Sequence, residues 1–177
     1  MYAQSGYYDM LPTTDLDDVL ADISDPTTDV RASMWDTSVP VALKYLGPEN
    51  SAGVDNTHIL RLSEIYLIRA EARVQQGNAA GARSDLNTIR SHRGAPDTSA
   101  SDAGLLSAIL DERRIELAFE GHRLFDLTRN AQDLVRSDCS LPNGNCMVPF
   151  PDHRFIHPIP QAEIDVNANM IQNEGYQ

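Results

Sequence analysis

Glu112, Glu116 and Glu120 recur at every fourth residue, a spacing that lines them along one face of a helix. Glycoside hydrolysis uses a pair of carboxyl groups about 5–10 Å apart across a sugar, and neighbours on one helix face come near that distance. Arg113, Arg114 and Arg123 are interleaved with the three glutamates, however. A carboxylate held by arginine titrates low and makes a poor general acid. Glu112, Arg113, Glu116, Glu120, Arg123 and Asp126 are therefore read as structural ion pairs. Arg69 and Glu71 are read the same way. Arg69 and Arg73 share a sign and must find partners on another helix, whereas Arg61 is expected to reach Glu64 within its own helix.

Other constellations fall short of a reactive site. The histidines, residues 58, 92, 122, 153 and 157, are scattered. Pro158 keeps His153 and His157 from sharing a helix face, so no metal is expected. Asp15, Asp17 and Asp18 resemble the start of a calcium loop, but Leu20 and Pro26 stand where that loop needs glycine and glutamate; the stretch reads as a solvated acidic run. There is no phosphate-cradling glycine loop, nucleophile elbow or catalytic triad, and no cofactor is implied. Cys139 and Cys146 flank a Pro-Asn-Gly turn. A disulfide across this loop fits an oxidising compartment, and two free thiols are the plainer alternative. Tyr7, Tyr8, Trp35 and Tyr45 gather in the first third of the chain. Aromatic faces in loops can stack on sugar rings, so these four are candidates for ligand stacking, against the simpler reading that Trp35 and Tyr45 are core.

These groups need elements to position them. Leu62, Ile65, Tyr66, Ala70 and Val74 follow a helical period that Gly77-Asn78 ends. A second helix carries Ala79, Ala82, Leu86 and Ile89 as far as Gly94-Ala95-Pro96. So short a link makes the two an αα-hairpin. A third helix carries Leu106, Ile109, Leu110, Arg113 and Leu117, with Ser101 or Asp102 as its N-cap, and ends near Gly121. A fourth is expected over roughly residues 122–135. Residues 1–56 read as an irregular, loop-rich segment packed on the helical core, with a short helix from Asp29 through Met34 and an extended stretch over 39–46. Residues 57–177 form the helical region with an extended tail. Two helical pairs in succession describe an all-α, tetratricopeptide-like helix-pair array with long irregular loops.

The chain has 177 residues and a net charge of −12, with 41% hydrophobic and 23% charged residues. That suits a globular domain and opposes binding to nucleic acid or anionic lipid. Lys44 is the only lysine; the remaining basic residues are arginines, whose planar forks suit carboxylates. Neither an export signal at residues 1–6 nor a membrane-spanning run is legible.

Three segments, in order, resemble the SusD/RagB family. They are residues 60–72 (LRLSEIYLIRAEA) with Gly77 and residues 85–90 (DLNTIR); residues 112–129 (ERRIELAFEGHRLFDLTR); and residues 158–165 (PIPQAEID) followed by Asn167, Asn169 and residues 172–176 (QNEGY). Together they span residues 57–177. The resemblance implies an all-α fold of tetratricopeptide-like helix pairs under long loops. It implies a lipid-anchored protein on the external face of the outer membrane of a Bacteroidetes-type bacterium. Such a protein captures a nutrient, usually a glycan, for a SusC-like TonB-dependent transporter without cleaving it. The family's lipidation cysteine and N-terminal helices have no counterpart here, so the chain is expected to be the C-terminal part of a longer protein. Ala168 stands where the family's tail usually has proline. The matching motifs belong to the scaffold, and no ligand-contacting residue is carried over from them. A helix-pair scaffold that docks a protein and ignores sugars is the rival reading; a glycosidase using Glu116 or Glu120 is the more distant one.

Overall fold

A computed structural model of the chain describes residues 14–37, 41–44, 59–136 and 146–176. Helices dominate it, and the described strands are two-residue pieces in two antiparallel pairs. The chain divides into two compact units after His122.

The first unit opens with α1 (Thr14–Ile23) and a 3-10 turn (Val30–Met34) capped by the Asp29 side chain. Strand β1 (Trp35–Asp36) pairs with β2 (Val41–Ala42), placing Trp35 opposite Ala42. The helices α2 (Leu62–Gln75), α3 (Ala79–Arg93) and α4 (Leu105–Glu116) follow. Helix α2 packs on α3, and α4 packs on both. Their shared core is Leu67 and Ala70 of α2, Ala82, Leu86 and Ile89 of α3, and Leu105 and Ile109 of α4. A second cluster joins Leu20 of α1, Trp35 and Ile115 of α4. Segment 14–36 thus belongs to the same unit as the helices, because its apolar side chains are buried against α4.

The acidic run expected to be solvated is α1. Its apolar residues Leu16, Val19, Leu20 and Ile23 face the second cluster, while Asp17 accepts hydrogen bonds from Trp35 Nε1 at 2.7 Å and Thr37 Oγ1 at 2.8 Å. Helix α2 ends where Gly77 turns left-handed at φ 75°, and Asn78 caps α3 by accepting from the Gly81 N–H. Gly94 closes α3 at φ 77°, with the Ala95 N–H returning to the Arg90 carbonyl, a Schellman-type stop. Helix α4 starts later than expected. Residues 102–104 form a turn first, and Ser101 Oγ accepts from the Gly104 N–H inside that turn.

In the second unit, α5 (Arg123–Arg129) is much shorter than the helix expected over 122–135. Asn130 folds back onto the Asp126 carbonyl and Ala131 takes a left-handed φ of 51°, so the chain leaves the helix and enters β3 (Leu134–Val135). Strand β3 pairs with β4 (Met147–Val148). A 3-10 turn (His153–Phe155) and α6 (Gln161–Val166) follow. Gln172 pins the tail, accepting from the Ile159 N–H and donating to its carbonyl.

Candidate functional site

The glutamates at four-residue spacing form the centre of a buried charge ladder. Glu112 and Glu116 lie on α4, whereas Glu120 sits in the turn that follows and not on the helix itself. Glu112 is fully buried between Arg31 and Arg90, with the Arg90 Nη1 donating to Oε2 at 2.7 Å. Arg31 is itself fully buried and donates from Nε and Nη2 to Asp29 at 2.9 and 2.7 Å. Glu116, also fully buried, accepts from Arg93 Nε at 2.9 Å and Nη2 at 2.6 Å, and from Arg61 Nη2. Glu120 holds Arg61 and Lys44, and the Lys44 ammonium also donates to the carbonyls of Glu116 and Ala118 at 2.8 and 3.1 Å.

Each glutamate therefore ties α4 or its C-terminal turn to a different part of the unit: Glu112 to the 29–31 turn and α3, Glu116 to α3 and the start of α2, Glu120 to the start of α2 and Lys44. Arg61 does not pair with Glu64. It precedes the first turn of α2 in extended backbone, φ −128°, and its side chain turns to α4. Glu64 is 3.8 Å from the His122 ring instead.

The electrostatics disfavour acid catalysis here. Burial pushes the Glu116 carboxyl up, but hydrogen bonds from Arg93 and Ser63 and the charges of Arg93 and Arg61 hold it below the usual glutamate value. Burial pulls Lys44 below the usual lysine value, partly offset by Glu120. A carboxyl kept ionised by two guanidiniums has no proton to give a leaving group.

A second cluster lies between α2 and α3. Asp85, almost fully buried, receives Arg69 in bidentate fashion at 2.9 and 2.7 Å and Arg73 at 2.6 Å. The Arg69 guanidinium also lies over the Tyr66 ring, 4.8 Å from its centroid. Asp126 pairs with Arg129 within the second unit. Glu71, Arg113 and Arg123 are not free either.

Trp35 needs a correction as a stacking candidate. It is 4% exposed, its indole N–H is bonded to Asp17, and its ring meets Phe119 at 6.4 Å, so no face is open to a sugar. Tyr7, Tyr8 and Tyr45 lie outside the described residues. Cys146 is disulfide-bonded; Cys139, too, lies outside the described residues. No group of three or more metal-ligating side chains occurs among the described residues.

Composition alone did not single out Asp29, Arg31, Asp85 or Arg90. One signal for Asp85 was present, however. Arg69 and Arg73, one turn apart on α2 with no shared acid, require a carboxylate on the facing helix, and Asp85 is at that level of α3.

Beside the ladder, the start of α2 and the end of α3 enclose a groove of about 420 Å³ with Leu62, Tyr66 and Ile89 among its lining residues and Arg61, Ser63, Thr88, His92 and Arg93 as its polar groups.

The molecule so described is an all-α, helix-pair protein whose charged residues hold a scaffold together. Residues 44–176 match the model of the SusD family. Over 137 residues the chain is 34% identical to the SusD-like protein P25 of Formosa agariphila, an alignment covering 69% of this chain and 25% of that protein. It is 33% identical over 120 residues to the starch-binding protein SusD of Bacteroides thetaiotaomicron, covering 67% of this chain and 21% of that protein. A crystal structure of a SusD superfamily protein from Bacteroides thetaiotaomicron superposes with a TM-score of 0.79 at 33% identity, covering 92% of this chain and 40% of the other. The chain belongs to the SusD/RagB family. It spans about a quarter or less of the length of these curated relatives.

Proposed function

We propose that this chain is part of a nutrient-capture protein that binds a glycan without cleaving it and passes it to a SusC-like TonB-dependent transporter. The observation that carries this reading is the match to the SusD family over residues 44–176, with a relative described as starch-binding at 33% identity. The charge ladder supports the non-catalytic part: Glu112, Glu116 and Glu120, the carboxylates whose spacing invites a hydrolytic reading, are each held by two or more cations. In this proposal the protein stands on the external face of the outer membrane through a lipid anchor, and the stacking role falls to Tyr7, Tyr8 and Tyr45.

The test is titration calorimetry against a panel of soluble poly- and oligosaccharides, with chromatography of the same samples for products. Heat of binding without new products is the expected outcome. Product formation that disappears in Glu116→Gln would replace capture with hydrolysis.

A further inference from the structure

We propose that residues 118–121, in the turn that leaves α4, form a latch. Side chains from distant segments hold Phe119 in a left-handed conformation, and the turn opens as a unit while the helices stay folded.

The strain falls on one residue. Phe119 has a φ of 66°, a region that crowds the Cβ of an L side chain and that bulky residues rarely enter. Such a conformation persists only where its surroundings impose it. Gly121, two residues on, is also left-handed at φ 79°, with nothing within 4 Å of a Cβ. Glycine carries no penalty there and gives the chain a free pivot.

Side chains rather than a backbone ladder impose it here. A helix leaves its last carbonyls without partners in the following turn, and the end of α4 takes cations from elsewhere in the chain. Lys44 donates to the carbonyls of Glu116 at 2.8 Å and Ala118 at 3.1 Å, and Arg61 donates to that of Glu116 at 3.1 Å. Both cations also hold the Glu120 carboxylate. The Phe119 ring leans on Trp35, with 6.4 Å between centroids. At the far end of the turn, the His122 ring stands 3.8 Å from Glu64. The backbone adds two short-range bonds, from the Ala118 N–H to the Ile115 carbonyl at 3.3 Å and from the Glu120 N–H to the Leu117 carbonyl at 3.1 Å.

Residues 118–121 are turn throughout, so opening them dismantles no helix or strand. It also leaves the cluster of Leu67, Leu86 and Ile109 intact. The Lys44 side chain is 9% exposed and that of Glu120 7%; when the turn swings out, both charges regain water. Local openings of this kind lie at the low end of a protein's range of stabilities. The turn is also the last stretch of the first unit before α5, so its release frees the point where the chain leaves that unit.

Because Lys44 is the chain's one lysine, its chemistry reads the latch directly. The experiment follows modification of Lys44 by trinitrobenzenesulfonate in the 177-residue chain, read by peptide mass spectrometry over a range of low urea concentrations. Lys44 is expected to react at least about tenfold slower than a lysine in a free peptide. Low urea should leave that rate unchanged, since a local opening exposes little surface. Two variants read the strain. Phe119→Ala and Phe119→Gly both lack the ring, but only alanine keeps the left-handed penalty. Lys44 should react about fivefold faster in Phe119→Ala than in Phe119→Gly. A rate that climbs with urea in step with global unfolding would overturn the proposal, as would reaction as fast as in a free peptide. Equal rates in the two Phe119 variants would also overturn it, by showing that Lys44 leaves its seat without the turn.

Discussion

The Arg31 guanidinium and the Glu112 carboxylate, 81 residues apart in the chain, are both wholly shut off from solvent and bonded to each other. Neither ion is tolerable there alone, so segment 14–36 and α4 are bound to one arrangement. Glu112→Gln removes the charge that faces both Arg31 and Arg90, and is expected to cost about 3–5 kcal/mol of unfolding free energy. In a double-mutant cycle with Arg31→Met, the combined loss should fall short of the sum by about 1–3 kcal/mol. Urea denaturation followed by circular dichroism measures both. Asp102→Asn is the control: it breaks an exposed pair with Arg83 and should cost less than about 1 kcal/mol.

The same ladder sets an acid limit. Glu116 and Asp29 are both pushed up by burial, yet both are held below their usual values by their arginine partners. A carboxyl whose folded value is depressed stabilises the fold above its unfolded value and loses that contribution as pH falls through the folded one. Unfolding free energy from these two groups should therefore hold steady from neutrality down to about pH 5 and fall steadily below about pH 4. The check is a series of urea titrations across that range. A Glu116→Gln variant should show a shallower acid decline than the parent, and an equal decline would remove Glu116 from the account.

How far these features are legible in sequence depends on the range of the interaction behind them. The ends of α2 and α3 are legible because Gly77-Asn78 and Gly94-Ala95-Pro96 act on their own backbone. Arg61 misleads because a local partner, Glu64, stands three residues on, while the choice of Glu116 and Glu120 depends on where α4 lies. The ladder's glutamates are visible as a spacing, but Arg31 and Arg90 are not, since nothing local marks two residues of distant elements as neighbours. Trp35 is a different case. Its partners Leu16, Val19, Leu20 and Ile23 already show helical spacing, yet the dense aspartates of that run disguise an amphipathic helix. The length of α5 depends on a left-handed Ala131, a conformation that alanine does not advertise.

Gly94 is placed to separate backbone strain from steric contact. Its φ of 77° favours glycine, and a Cβ there would stand 2.4 Å from the Thr28 carbonyl oxygen. Gly77 has nearly the same φ, 75°, with nothing within 4 Å of a Cβ. Gly77→Ala should cost about 1–2 kcal/mol, the left-handed penalty alone. Gly94→Ala adds displacement of the 25–29 turn and is expected to cost at least about 1 kcal/mol more. Thermal unfolding of the two variants side by side measures the difference, and equal costs would mean that the turn yields freely.

Trp35 is the chain's one tryptophan, which makes its place in the core directly observable. The residue is 4% exposed, its ring packs against Phe119, and its N–H is satisfied by Asp17. Emission from the folded chain should be blue-shifted and poorly quenched by iodide. Adding a bound saccharide should leave it unchanged, because the sugar has no access to the ring. Trp35→Ala should cost about 3–5 kcal/mol through the cavity it leaves, while Trp35→Phe keeps most of the packing and loses chiefly the bond to Asp17, about 1 kcal/mol. At a temperature where both variants remain folded, their saccharide affinity should match the parent's. An affinity loss in Trp35→Phe without loss of fold would return the indole to the binding surface and move the stacking role away from the tyrosines.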